Sequence, residues 1–78
     1  MTYPKPRQHL TEADFTPAQL TVLHLTARGL PDKVIASRLH RSYHTIRDHQ
    51  RVLLAATGFR NRATLAVWWA LYQHGVKA

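Results

Sequence analysis

Three residues, His40-Arg41-Ser42, separate two stretches that both read as helix, and so short a connection constrains the fold more than any other feature of the chain. Before it, Ile35, Ala36 and Leu39 recur at i, i+1, i+4 and give a helix over 32–39 one apolar stripe. After it, Ser42 is an N-cap for a helix expected over 43–56, with Gly58 as its stop signal. Only a tight turn fits between them. On the second helix Ile46, Gln50 and Leu53, with His49 and Leu54 less centrally, share one side, whereas His44, Arg47, Asp48 and Arg51 fall together on the other. A braced helix with a basic outer face has the geometry to lie in a DNA major groove.

Two more helices complete the pattern. The first, expected over 17–28, begins at a Thr16 N-cap with Pro17 in the first position and Gln19 placed for a capping box, and ends at Gly29. Its Val22, Leu23 and Ala27 point inward with Thr26 among them, and Leu20 and Leu25 widen that face. The last, expected over 61–74, carries two apolar faces: Leu65, Trp68, Trp69 and Tyr72 on one, and Ala63, Ala66, Val67, Ala70 and Leu71 nearly opposite. A small domain can hardly bury both, so one is core and the other seeks a partner. The aromatic set Leu65, Trp68, Trp69 and Tyr72 is expected at a dimer interface, because aromatic residues are enriched there. Residues 1–14, with Pro4, Pro6, Lys5 and Arg7, read as a flexible arm on which Leu10 alone has reason to meet the core.

Charge and composition then narrow the function. Lys and Arg number 11 against 4 Asp and Glu, a net +7 that suits a polyanionic partner and leaves few carboxylates for acid–base chemistry. No paired carboxylates or nucleophile–base arrangement is visible among Glu12, Asp14, Asp32 and Asp48, so an enzyme is not expected. There is no cysteine, and His40 and His44 straddle a turn without a completing carboxylate, so neither metal nor cofactor is expected. No apolar run has the length of a signal peptide or a membrane span, and the chain is expected to be cytoplasmic.

From Phe15 to about Val76 the chain resembles the LuxR/GerE family of bacterial helix-turn-helix regulators, aligned without a gap. The resemblance rests on Thr16-Pro17, Val22-Leu23, Ala27 with Gly29, Lys33, Ile35-Ala36, Leu39, Ser42, Thr45-Ile46-Arg47, His49, Gly58 and Asn61-Arg62. It implies an all-α, four-helix domain over 15–78, a DNA-reading pair made by helices two and three, and a last helix available for dimerisation. It also implies that Arg47, Asp48 and Arg51 stand at base-reading positions and that Thr45 touches phosphate. Chemistry agrees for the arginines, since each guanidinium can grip guanine O6 and N7 together. His44 shares their face. Asp48 either accepts from cytosine N4 or orients Arg51, and near phosphates the orienting role is favoured. Lys33, Arg38, Arg41, Tyr43, Arg60 and Arg62 are the further phosphate candidates.

Departures from the family pattern fall at Pro31, Val34, His40, Arg41 and Thr57. His40 stands where glycine is common, so a left-handed turn there would be strained, and Arg41 stands where an apolar residue usually packs. The expected function is sequence-specific binding of double-stranded DNA by a homodimer, in a bacterium or one of its phages or mobile elements. The alternative is an antagonist that pairs with a larger LuxR-type regulator and keeps it from DNA.

Overall fold

Three of the four helices begin where a side chain takes up an N–H group that the helix itself cannot. The computed structural model describes residues 4–7 and 9–76, in the order α1 (Pro17–Ala27), α2 (Asp32–Leu39), α3 (Tyr43–Thr57) and α4 (Arg62–Val76), preceded by a 3-10 turn at Glu12–Asp14. Thr16 Oγ1 accepts from the Gln19 N–H at 3.2 Å while Gln19 Oε1 accepts from the Thr16 N–H at 2.9 Å, closing the capping box of α1. Ser42 Oγ accepts from the Thr45 N–H at 3.1 Å at the head of α3, and Asn61 Oδ1 from the Thr64 N–H at 2.9 Å at the head of α4. Pro31 offers no side-chain cap to α2, whose first turn is closed by the ordinary bond from Ile35 N–H to the Pro31 carbonyl at 3.0 Å.

The turn between α2 and α3 is tight because His40 is left-handed, with φ 54° and ψ 43°. That conformation sends the His40 N–H to the Ser37 carbonyl at 3.3 Å and the Arg41 N–H to the Ala36 carbonyl at 3.0 Å, so α2 stops and the chain reverses into Ser42. A Cβ in this region costs energy that glycine does not pay, even though histidine tolerates it better than branched residues. His40→Gly should therefore raise the urea midpoint, by up to about 1 kcal/mol of stability. An unchanged or lower midpoint would show that the turn holds histidine without strain.

The core answers which face of α4 looks inward. Leu65 and Trp69 are fully buried and Trp68 nearly so, packed with Phe15, Val22, Leu23, Ile35, Ile46 and Leu53. Trp69 lies edge-on to Phe15 at 5.8 Å, stacks on half-buried Tyr72 at 4.9 Å, and donates its Nε1–H to His24 Nδ1 at 3.1 Å. The dimer interface expected on Leu65, Trp68, Trp69 and Tyr72 is thus corrected: this face is core. The physical reason is size, since only these large side chains can cover the apolar side of α1 and still give a buried indole N–H a partner. The small-residue face is the one left out, with Val67 49% and Leu71 39% exposed beside Ala63 and Ala70.

Residues 9–14 are seated on the domain and do not project from it as an arm. Leu10 belongs to the core at 6% exposure, Asp14 Oδ2 accepts from the Thr11 N–H at 2.7 Å, and Gln73 Nε2 donates to Glu12 Oε1 at 3.3 Å across to α4. Farther out, the Arg7 N–H donates to the Thr57 carbonyl at 2.6 Å, tying the segment to the end of α3. Thr57, apolar in the family pattern, is buried with its hydroxyl donating to the Leu53 carbonyl at 2.8 Å, so the polar atom costs little there.

Candidate nucleic-acid interface

The amphipathic pattern of α3 places its charged residues as the periodicity requires. Ile46, Gln50, Leu53 and Thr57 are buried, while His44, Arg47, Asp48 and Arg51 are all exposed on the opposite side. Arg47 and Arg51 are one turn apart, about 6 Å along the axis, so both guanidinium groups can address neighbouring base pairs. Arg47 is already oriented. Its guanidinium carbon lies 5.7 Å from the centre of the Tyr43 ring, and its Nη1 donates to the Tyr43 hydroxyl at 3.3 Å. Asp48 stands 3.5 Å from Arg51 Nη1, with the two side chains 68% and 77% exposed, so the pair steers the guanidinium without adding much stability. The His44 ring is tilted against Tyr43 at 6.2 Å between centres.

Around this stripe lie the phosphate candidates. Lys33 and Arg38 are exposed on α2, Tyr43 heads α3, Arg41 is exposed in the turn bordering a gap lined by Leu39, Ile46 and His49, and Arg60 is exposed in the α3–α4 loop. Thr45 is half-buried and its hydroxyl already has a local partner, Ser42 Oγ at 2.9 Å. Arg62 is engaged within the domain. Its Nη1 lies 2.9 Å from Asp32 Oδ1 and its Nη2 donates to the Leu30 carbonyl at 2.7 Å, so the guanidinium is occupied in holding the α1–α2 loop to α4.

That ion pair belongs to a buried polar connection which the pattern of apolar residues did not reveal. Gln50, on the inward side of α3 at 6% exposure, donates through Nε2 to Thr26 Oγ1 of α1 at 2.6 Å and to Asp32 Oδ1 of α2 at 3.2 Å. Asp32 then meets Arg62 of α4, so all four helices are joined behind the face that carries Arg47 and Arg51. Among the described residues Gln50 Oε1 is buried without a partner, a cost of order 1–3 kcal/mol that an apolar side chain would avoid. Directional bonds of this kind fix how α3 sits on the scaffold, which packing alone does less sharply. Asp32→Ala should lose about 1–2 kcal/mol in a chemical melt, discounted because the Arg62 side chain is 37% exposed. A loss within a few tenths would mean that solvent replaces the carboxylate.

Among the described residues no helix is long and apolar enough to cross a membrane, and no three of His, Cys, Asp and Glu gather as a metal site would require. Comparison with known proteins bears on the arrangement as a whole. The nitrate/nitrite response regulator protein NarL of Escherichia coli strain K12 is 38% identical over 61 residues, covering 74% of this chain and 28% of that protein. Response regulator Rre1 of Synechocystis is 40% identical over 63 residues, 81% of this chain and 26% of its own length. The chain therefore spans about a quarter of these relatives. The model of the bacterial regulatory proteins of the luxR family matches residues 13–69, a stretch that takes in α1, α2, the left-handed turn, α3 and the start of α4. With its helix pair, its turn and its exposed arginines on that stretch, the chain belongs to the luxR family of bacterial regulatory proteins.

Proposed function

We propose that this domain binds double-stranded DNA sequence-specifically as a transcription regulator, with α3 in the major groove, and that it does so as a homodimer. One observation carries the reading: the outward face of α3 is open along its length and presents Arg47 and Arg51 one turn apart, with Arg47 held by Tyr43. Asp48 and His44 frame the two arginines, while Lys33, Arg38, Arg41, Tyr43, Thr45 and Arg60 supply backbone contacts. Regulation by the full-length relatives, named for responses such as that to nitrate and nitrite, supports the regulatory role.

Dimerisation is assigned to the outward face of α4, where Val67 and Leu71 are the largest exposed apolar side chains among the described residues of that helix. A two-fold pair through this face would set two reading helices toward half-sites about one DNA turn apart. The same face would serve an antagonist, which would pair with a larger family member yet fail to bind DNA by itself. Selection of duplexes from a random pool, followed by anisotropy titration of selected and random DNA, tests the assignment. Specific binding should exceed random binding by a factor of about a thousand or more at moderate salt. Equal affinity for both pools would end the sequence-specific reading, and light scattering that shows a monomer on the selected duplex would end the dimer.

A further inference from the structure

The basic stripe of α3 does not stop where the helix stops. Gly58 follows Arg51 by seven residues and Arg47 by eleven, about two and three turns, so it lies on the same side of the helix as the two arginines. Gly58 has φ 82°, and a Cβ built on it would sit 3.1 Å from both Cβ and Nε of Arg7. The missing side chain is thus the space that Arg7 occupies. Its backbone is fixed there by the N–H bond to the Thr57 carbonyl at 2.6 Å, while its exposed side chain has no hydrogen bond or ion pair among the described residues. A tethered guanidinium without an anion stands at the far end of a surface otherwise built to meet a polyanion.

We infer that Arg7 is a DNA phosphate contact, carried by the N-terminal segment to the end of the reading helix. The residues matched by the family run 13–69, so family membership assigns Arg7 no role. A 15-residue helix is about 22 Å long and the major groove about 12 Å wide, so a helix reading bases along one stretch brings its other end against a sugar-phosphate strand. Arg7 meets that strand as a charge on a docked segment, with Arg60 two residues beyond Gly58 and Lys5 two residues before Arg7 to strengthen the local field. The competing role is structural: a cation at the negative end of α3.

The inference rests on α3 being the reading helix, and the test separates the two. Anisotropy titrations across a salt series use a random-sequence duplex and the selected duplex, with parent, Arg7→Ala, Arg7→Lys and Arg51→Ala. Loss of one phosphate contact lowers the slope of log affinity against log salt by about 0.9, so Arg7→Ala should bind roughly eightfold more weakly near 0.1 M salt, the gap closing as salt rises. Preference for the selected duplex should be unchanged, and Arg7→Lys should restore the slope. A parental slope for Arg7→Ala overturns the inference, whatever its melting temperature does. If Arg51→Ala keeps full preference and affinity, the reading of α3 fails and this contact falls with it.

Discussion

Replacing Trp69 with alanine is expected to remove a large part of the domain's stability. The indole is fully buried, touches Phe15, Trp68, Tyr72 and His24, and donates its N–H to His24 in a bond that alanine would remove. Such truncations cost about 3–5 kcal/mol. A domain of this size has roughly 4–12 kcal/mol in all, so the loss consumes much of the margin. Leu71→Ser, on the outer face of the same helix, should shift a dilute-solution melt by no more than about 0.5 kcal/mol. Urea denaturation followed by circular dichroism reads both. If the tryptophan variant melted like the parent, α4 would have to dock through its other side, and the core described above would be wrong.

The second large effect concerns discrimination and not stability. Arg47→Ala and Arg51→Ala should each lose about 1–3 kcal/mol of preference at one base pair of the selected duplex, five- to 150-fold. Their binding to random DNA should weaken far less, and the fold should be unaffected because both side chains are exposed. Lysine at either position would return charge but not the two-pronged grip, so random binding should recover while preference does not. Loss of affinity that is uniform across sequences would reassign these arginines to the phosphate backbone.

How much of this was legible beforehand differs from element to element. Caps and stops announced the first three helices: Thr16 and Ser42 at starts and Gly29 and Gly58 at ends act within one turn, so local sequence suffices, whereas the Asn61 cap of α4 emerged only from the fold. The split of α3 into buried and exposed sides followed from its period. The two faces of α4 were visible, but which one is core depends on what α1 offers it in space, and interface statistics favoured the wrong side. Gln50 and Thr26 each stood as a polar residue on an inward face; two such misfits on different helices were the available sign that they bond to each other. Arg62 looked like any basic residue near a DNA-reading helix, because nothing local marks Asp32 as its partner. The docking of Arg7 over Gly58 left no periodic trace at all.

Both indoles of the chain lie side by side in one cluster, 5.3 Å between ring centres, and α3 has none. Intrinsic emission is therefore an optical gauge of whether α4 is seated on α1, well suited to following unfolding. It will be nearly blind to the encounter with a duplex, for which a dye has to be carried by the nucleic acid.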